Sequence, residues 1–297
     1  MKIATGHPKH FLIVCTGNTC RSPMAHGWFV DKLKSLDLLT EVEVDSCGVS
    51  ATPGMPPAEN AIQVLKELDI DISKFHTQPM TREKVLWADK ILAMAPNHRE
   101  YILTQFPEVN PLQISVLSIP DPIGQSVEVY RQSFEMMKEA LKKEIKKLVT
   151  LALGSDHGGF ELEQHLLRAL KEQGYTVKDF GTRSNESCDY PDFAIPVAEE
   201  VARDKTIRGI LMCTSGGGVA MAANKVKGVR AVHCLTVEDA EFARRHNNMN
   251  ILVLSGKKTS PQDAVEIAKK FISTGFDGGR HERRVGKIQT YEENHWK

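Results

Sequence analysis

Phe11–Met24 reads FLIVCTGNTCRSPM and decides the fold of the first half of the chain. Its four apolar residues, Phe11–Val14, predict a buried parallel strand that ends on Cys15. A polar loop follows, and the apolar spacing after Arg21 and Ser22 predicts a helix. Backbone N–H groups converge where a strand passes through a short loop into a helix, and they form a cradle for a tetrahedral anion. The stretch therefore predicts an α/β domain with an anion site at the end of this strand.

Cys15 and Arg21 enclose five residues in the pattern C-x(5)-R. Because the cradle favours an anion, we expect a depressed pKa for the Cys15 thiol and a nucleophilic role for its sulfur. Arg21 would make a bidentate contact to two oxygens of a phosphoryl group. The spacing alone is common background, and the flanking strand and helix give it weight.

Strand and helix patterns alternate through the rest of the chain, which is typical of parallel sheets with helices on both faces. In the first half the further predicted strands are 41–46, 90–95 and 113–118, and the helices are 58–68, 97–106 and 126–149. In the second half the strands are 151–155, 175–180, 209–213, 229–235 and 251–255. The helices there are 191–203, 237–247, 261–274 and one from 160 that stops at Gly174. We expect two doubly wound, Rossmann-like α/β domains in tandem, at residues 1–149 and 150–297.

Composition narrows the class of protein. The chain has 297 residues, long enough for two ordinary domains, and its 41% hydrophobic and 26% charged residues are typical of soluble globular proteins. Its net charge of zero gives no reason to expect nucleic acid or a membrane surface as partner. Met1–His10 is polar and no apolar run approaches a membrane span, so we expect no signal peptide. The cysteines and histidines form no metal-binding pattern, and we expect a cytoplasmic protein without metal or other cofactor.

Residues 10–149 resemble the low-molecular-weight protein-tyrosine phosphatases. The resemblance rests on V-C-T-G-N-T-C-R-S-P at 14–23 and on Asp121–Pro122, just before the last helix of this half. It implies that Cys15 is the nucleophile, that Arg21 binds the phosphoryl group and that Asp121 protonates the leaving group. The other residues implied around the phosphoryl group are Thr16, Gly17, Asn18, Thr19, Cys20 and Ser22.

Two features of this half resemble the bacterial branch that removes phosphate from protein arginine. Thr19 stands where tyrosine phosphatases usually carry an aliphatic residue. Ile123 and Gly124 follow Asp121–Pro122 in place of the aromatic pair that walls a phosphotyrosine slot. Phosphotyrosine and phosphoarginine in a protein or peptide both stay open as substrates. Cys20 resembles the family's protective cysteine, which can cap an oxidised nucleophile as a disulfide.

In the second half, chemistry-bearing residues follow the predicted strands, at the edge where parallel sheets bind ligands. Asp156 and His157 come directly after the first of these strands. Cys213 ends the strand GILMC, and a loop of small residues follows it. Three further candidates stand along the chain: His246, Arg280 and Arg284.

Residues 151–290 resemble ribose-5-phosphate isomerase B and the related galactose-6-phosphate isomerase subunits. The motifs are S-D-H-G-G-F, C-D-Y-P, G-I-L-M-C-T-S-G-G-G-V-A-M-A-A-N-K, R-H-N-N-M-N and G-G-R-H-x-x-R. The resemblance implies that Cys213 moves a proton between C1 and C2 of a sugar phosphate. Backbone amides of Thr214–Gly218 would hold the enediolate oxygen, and Asp156 and His246 would open the sugar ring.

The resemblance also implies contacts to the rest of the sugar phosphate. Lys257 stands where a phosphate-binding arginine is common in this family. Family members share the phosphate site across a dimer interface, so we expect a homodimer formed by the second half. The residues implied to contact the substrate are His157, Tyr190, Thr214, Ser215, Gly216, Gly217, Gly218, Asn247, Lys257, Arg280 and Arg284.

Together these patterns predict a bifunctional enzyme. The second half would interconvert an aldose and a ketose, foremost ribose 5-phosphate and ribulose 5-phosphate of the pentose phosphate pathway. The first half would hydrolyse a phosphoprotein. The alternative is an isomerase of allose or galactose 6-phosphate whose first half only binds phosphorylated residues. Intact Cys15, Arg21 and Asp121 speak against that alternative, because a binding module needs neither nucleophile nor acid.

Overall fold

The computed structural model describes residues 9–296. The chain divides into two compact units. The first runs to Ile145 apart from Ser35–Leu38, and the second comprises Ser35–Leu38 and the chain from Lys146 onward. Each unit contains one parallel sheet flanked by helices, which confirms the prediction of two α/β domains in tandem.

The sheet of the first unit has four strands in the order β2-β1-β3-β4. They are β1 (His10–Cys15), β2 (Glu43–Gly48), β3 (Lys90–Ala93) and β4 (Ile114–Val116). The helices are α1 (Arg21–Ser35), α2 (Glu59–Lys66), α3 (Arg82–Trp87), α4 (Pro96–Gln105) and α5 (Val127–Leu148). The predicted elements of this half are present, and α3 is additional. The hydroxyl of Thr81 caps α3 by accepting the N–H of Lys84 at 3.3 Å.

β1 is a central strand, and Phe11–Val14 are fully buried. A parallel strand that is covered on both faces is apolar at every position, which explains the continuous apolar run in the sequence. The register pairs Cys15 with Gly48 of β2 and Val14 with Ala93 of β3. The loop after Cys15 therefore lies beside the chain segments that leave β2 and β3.

The sheet of the second unit has five strands in the order β6-β5-β7-β9-β8. They are β5 (Thr150–Ser155), β6 (Thr176–Asp179), β7 (Ile207–Cys213), β8 (Ala231–His233) and β9 (Ile251–Ser255). The helices are α6 (Phe160–Glu172), α7 (Pro191–Arg203), α8 (Gly217–Ala223), α9 (Val237–Asn247), α10 (Pro261–Ser273) and α11 (Arg280–His295). The predicted elements are again present, and the short helix α8 and the last helix α11 are additional.

β7 occupies the centre of this sheet, and each of its residues is buried. The register pairs Ser155 of β5 with Met212, and Ser255 of β9 with Cys213. Three strands therefore end side by side around Cys213.

Two negative findings apply to residues 9–296. No helix in this range is long and apolar enough to cross a membrane. In the same range no three His, Cys, Asp or Glu side chains are grouped so that they could hold a metal ion. The cysteines are free thiols.

Candidate active sites

The loop between β1 and α1 folds around the sulfur of Cys15. Ser22 Oγ lies 2.9 Å from Cys15 Sγ, and the N–H of Asn18 donates to the same sulfur at 3.3 Å. Asn18 has a left-handed backbone (φ 54°), which asparagine tolerates better than most residues. Its side-chain amide donates to Ser22 Oγ and Ser46 Oγ, and its Oδ1 accepts the N–H of Gln78 at 2.8 Å. These bonds hold the shape of the loop.

Gly48, at the end of β2, lets this loop close against the sheet. A Cβ at Gly48 would lie 2.5 Å from the carbonyl oxygen of Thr16 and 2.9 Å from the nitrogen of Asn18. Contacts this short are not tolerated, so a side chain at this position would displace the loop. Gly48 was not predicted as a site residue. The available signal was a glycine just after the second predicted strand.

Burial decides the protonation of Cys15. The residue is 2% exposed, and burial raises the pKa of its thiol above the ordinary value. Hydrogen bonds from Ser22 and Asn18 and the positive charge of Arg21 lower the pKa, but by less. The expectation of a depressed pKa is therefore wrong for this structure, because the loss of hydration outweighs the contacts that favour the thiolate.

Arg21 connects the loop to Asp121. Its Nη2 forms an ion pair with Asp121 Oδ2, and its Nη1 donates to the carbonyl oxygen of Ile119 at 3.1 Å. Arg21 is 4% exposed, and its Nε is buried without a hydrogen-bond partner in the described part of the chain. A buried N–H without an acceptor costs free energy, so this atom suits an oxygen of a bound phosphoryl group.

Cys20 contacts an aromatic hydroxyl in this structure. Its sulfur lies 3.1 Å from Tyr130 Oη and 3.5 Å from Thr19 Oγ1. Burial and the contact with Cys20 raise the pKa of Tyr130, so its hydroxyl keeps the proton that it can donate to the sulfur. Beyond the acid residue, Ile123 is 62% exposed.

In the second unit the loop after β7 surrounds Cys213. Cys213 is 5% exposed, and the N–H of Gly216 donates to its sulfur at 3.2 Å. The chain that leaves β9 supports this loop from the side. The N–H of Gly256 donates to the carbonyl oxygen of Cys213 at 2.9 Å, and the N–H of Lys257 donates to that of Thr214 at 3.2 Å. Lys257 is therefore placed at the same edge of the sheet as Cys213.

Two aromatic rings pack against glycines of this loop, where a Cβ would leave no room for them. Gly216 has φ +82° and caps α8, and a Cβ there would lie 2.8 Å from the ring of His233. A Cβ at Gly218 would lie 3.0 Å from the ring of Tyr190. The Nε2 of His233 is buried without a partner among the described residues, and burial lowers the pKa of this imidazole. His233 was not predicted as a site residue, although it ends β8.

Asp156 and His157 lie in the turn after β5. Asp156 is 6% exposed, and its Oδ1 accepts the N–H of Gly158 at 2.8 Å. A Cβ at Gly158 would collide with Thr214, so this turn packs against the loop after β7. Nδ1 of His157 accepts the backbone N–H of Cys188 at 3.2 Å, which leaves Nε2 as the N–H donor of a neutral ring.

Four of the predicted site residues lie away from Cys213 in the single chain. Because Ile251 pairs with Gly209, β9 begins at the opposite end of β7 from Cys213, about 13 Å away at the usual rise of a strand. α9 ends just before β9, and the ring of His246 stacks on His281 of α11 with centroids 4.3 Å apart. A single chain therefore brings these residues to the amino-terminal edge of the sheet: His246, Asn247, Arg280 and Arg284.

The two units thus form a tandem α/β protein with one cysteine-centred site at the carboxyl edge of each sheet. Residues 10–151 match the family model of the low molecular weight phosphotyrosine protein phosphatases, and residues 151–288 match that of the ribose/galactose isomerases. The chain belongs to the ribose/galactose isomerase family, and its first half is similar to the low molecular weight phosphatases.

Curated relatives and solved structures resemble the second half. The probable ribose-5-phosphate isomerase B of Mycoplasma genitalium is 42% identical over 143 residues, which cover 47% of this chain and 93% of that protein. Ribose-5-phosphate isomerase B of Escherichia coli is 38% identical, over 48% of this chain and 96% of that protein. A crystal structure of a Thermotoga maritima ribose 5-phosphate isomerase is 46% identical with a TM-score of 0.47, over 48% of this chain and 98% of that chain.

Proposed function

We propose that the chain is a bifunctional enzyme, which hydrolyses a phosphorylated protein side chain with its first unit and isomerises a sugar phosphate with its second. For the first activity, the supporting observation is the buried Nε of Arg21 beside the Cys15 loop, which has no partner among residues 9–296, with Asp121 bound to the same guanidinium. An anion site, a nucleophile and an acid then lie within one network. That combination is what phosphoryl transfer through a cysteine requires.

The hydrolysis takes place in two steps. The phosphoryl group replaces Asp121 on Arg21, and the Cys15 thiol passes its proton to an oxygen of the phosphoryl group. The resulting thiolate attacks phosphorus opposite the leaving group. The bond from phosphorus to the leaving oxygen or nitrogen breaks, and Asp121 transfers its proton to that atom. In the second step Asp121 takes a proton from water, the water oxygen attacks the phosphocysteine, and inorganic phosphate leaves with the thiolate restored.

The polar Thr19 and the lack of aromatic side chains at positions 123 and 124 favour phosphoarginine over phosphotyrosine as substrate. The test compares phosphate release by the full-length chain from p-nitrophenyl phosphate and from matched phosphoarginine and phosphotyrosine peptides. Thr19→Ile should lower turnover of the phosphoarginine peptide more than that of the phosphotyrosine peptide. Cys15→Ser should abolish turnover of all of them and leave the isomerase rate unchanged. A wild-type chain that binds phosphopeptides without turnover would make the first unit a binding module.

For the second activity, the supporting observation is the Gly216 N–H directed at Cys213, beside Asp156 and Lys257. Asp156, together with His246, opens the sugar ring. Cys213 removes the proton from C2 and returns it to C1, while amides of the loop after β7 hold the enediolate oxygen. The hydroxyl proton of O2 passes to O1, so that the C1 carbonyl of the aldose becomes the C2 carbonyl of the ketose. Ribose 5-phosphate is the proposed substrate, since the relatives above carry its name.

We further propose a homodimer in which a second copy completes this site. The two arginines of α11 carry charges that a phosphate group needs. In one chain, however, these arginines and His246 lie at the edge of the sheet opposite Cys213. A two-fold axis that brings the amino-terminal edge of one copy to the carboxyl edge of another would place these residues in two equivalent sites. Residues of the phosphatase site take no part in this shared isomerase site.

Exchange of the substrate's carbon-bound proton tests the role of Cys213. Cys213→Ala should abolish solvent deuterium incorporation at C1 or C2 of ribose 5-phosphate and ribulose 5-phosphate. Cys234→Ala is the matched control, because burial raises the pKa of Cys234 to about 12 and keeps it protonated. Exchange at the wild-type rate in Cys213→Ala would place the base elsewhere. Parallel assays with allose and galactose 6-phosphate would show whether a hexose is preferred.

We place the enzyme in the cytoplasm. The proposed mechanisms need Cys15 and Cys213 as thiols, and the six cysteines of the chain are free. Reducing compartments preserve such thiols. The net charge of zero supports small or peptide substrates rather than nucleic acid or a membrane surface as partners.

A further inference from the structure

His98 lies beside the Cys15 loop and has no part in the chemistry above. β3 adjoins β1 and ends at Ala93, and α4 begins at Pro96, so the first turn of α4 reaches the edge where the loop begins. His98 is 1% exposed. Its Nε2 lies 3.0 Å from Thr16 Oγ1, and its Nδ1 lies 3.1 Å from the nitrogen of Ala95.

The directions of these two bonds follow from the donors available. The backbone N–H of Ala95 can only donate, so Nδ1 of His98 accepts. Nε2 then carries the proton of the neutral ring and donates it to Thr16 Oγ1. The ring is neutral at physiological pH, because burial and the positive charge of Arg21 lower its pKa to about 4.

Thr16 receives a second hydrogen bond from the phosphate-binding side of the site. Nη2 of Arg21 donates to Thr16 Oγ1 at 3.4 Å. A hydroxyl has two acceptor positions and one hydrogen. Since His98 and Arg21 occupy both acceptor positions, the hydrogen of Thr16 is left to donate. Thr16 is exposed, so this hydrogen is available to a bound substrate.

We propose that His98 is a positioning residue of the phosphatase site, which orients Thr16 to accept from Arg21 and to donate to an oxygen of the phosphorylated substrate. The inference rests on the proposed phosphatase function. His98 itself touches no reacting atom. Without its N–H, the Thr16 hydroxyl can turn to other rotamers, and Arg21 loses a fixed acceptor.

A double-variant cycle in the full-length chain tests this role. We expect His98→Ala and Thr16→Val each to lower kcat/KM for p-nitrophenyl phosphate by about tenfold, the effect of one lost hydrogen bond. The kcat/KM of the double variant should be no lower than that of the less active single variant, because both changes remove the same contact. His98→Asn, whose amide can donate an N–H, should recover part of the activity. Asn97→Ala, an exposed neighbour in the same turn, should match the wild type.

Two outcomes would overturn the proposal. Losses that multiply in the double variant would mean that His98 acts independently of Thr16. A loss in His98→Ala that disappears when the assay is cooled, together with a lower unfolding temperature, would leave His98 only the role of holding the start of α4 through Ala95.

The proposed function and the positioning role can fail separately. If the wild-type chain hydrolyses none of the phosphorylated substrates, the proposed function fails, and the same cycle is measured on the Kd of inorganic phosphate by calorimetry. Weaker binding in His98→Ala that vanishes in the Thr16→Val background would still support the positioning role. Unchanged or additive Kd values would overturn it.

Discussion

At the scale of single residues, Cys15 shows how burial and hydrogen bonding compete at one sulfur. Its side chain is nearly inaccessible to water, and that burial raises its thiol pKa. The hydrogen bond from Ser22 is the largest of the contacts that lower the pKa. The Ser22 hydroxyl therefore favours the thiolate more than any other contact does, although burial outweighs it.

Ser22→Ala should raise the pKa of Cys15 further. A higher thiol pKa leaves less thiolate at a given pH, so alkylation of Cys15 by iodoacetamide at pH 7 should slow, and the midpoint of its rate against pH should move upward. Peptide mass spectrometry resolves Cys15 from the other cysteines. Ser73→Ala, at an exposed position, is the control. An unmoved midpoint would show that Ser22 does not stabilise the thiolate.

Glu163 is a buried carboxylic acid in α6 of the isomerase unit. It is fully buried, Ser155 Oγ donates to its Oε2 at 2.6 Å, and its Oε1 has no partner among the described residues. Burial, with a smaller contribution from Asp179, raises its pKa from 4.5 to about 7. The folded unit therefore binds a proton on Glu163 that the unfolded chain has already lost near neutral pH.

This raised pKa predicts that stability falls as the pH rises. Between pH 4.5 and about 7 the folded state holds more protons than the unfolded state, so the free energy of unfolding decreases with pH and stays low above 7. The shift corresponds to about 3 kcal/mol. Glu163→Gln should remove this dependence. Urea unfolding of wild type and variant at pH 5 and pH 8 measures the free energy of unfolding. The prediction is contradicted if this free energy changes with pH as much in the variant as in the wild type.

At the scale of elements, α9 begins with a capping box that joins the end of β8 to the helix. Thr236 Oγ1 accepts the N–H of Asp239 at 3.0 Å, and Asp239 Oδ2 accepts the N–H of Thr236 at 3.0 Å. The reciprocal bonds satisfy donors that an uncapped helix start leaves unpaired. α9 carries His246 and Asn247 at its other end, so its order matters for the proposed dimeric site.

Thr236→Ala should lower the free energy of unfolding of this unit by about 1 kcal/mol, the usual cost of a lost cap. Thr290→Ala is the control. Its hydroxyl donates to the carbonyl oxygen of Gly286 in the middle of α11, where no cap is lost, and the change should stay within about 0.5 kcal/mol. Chemical denaturation of both variants measures the difference. Equal losses would show that the Thr236 cap contributes nothing specific.

At the scale of the whole molecule, the proposed shared site predicts complementation between inactive variants. Cys213→Ala and the double variant Arg280→Ala/Arg284→Ala should each have little isomerase activity at low ribose 5-phosphate. Co-expressed, they should recover about a quarter of the wild-type rate, since half of the dimers are mixed and each mixed dimer has one intact site. The measurement is the initial isomerase rate of the co-purified mixture.

The control pairs Cys213→Ala with Asp156→Ala. Both residues lie at the carboxyl edge of the same sheet, so a mixed dimer of these variants has a defect in each of its two sites. No activity should return. Recovery in this control, or none in the first mixture, would show that the site is not shared in the proposed way.

Local patterns in the sequence determined the secondary structure and the class of each domain. Phe11–Val14 is apolar throughout because β1 is covered on both faces, and α9 begins at Val237 and ends at Asn247 as the pattern predicts. The residues of the Cys15 loop, and those of the loop after Cys213, are contiguous, so motifs could identify them. α3 escaped prediction, because its six residues are too short for a clear period.

The tertiary structure decided what depends on residues far apart in the chain. His98 lies 82 positions from Thr16, and nothing in the sequence around His98 indicates that the two residues are hydrogen-bonded. The raised pKa of Cys15 results from burial by the folded unit, which a local motif does not report. The register of β9 places His246 at the far edge of the sheet from Cys213. Propensity and spacing act over a few residues, whereas burial and register arise only when distant segments pack together.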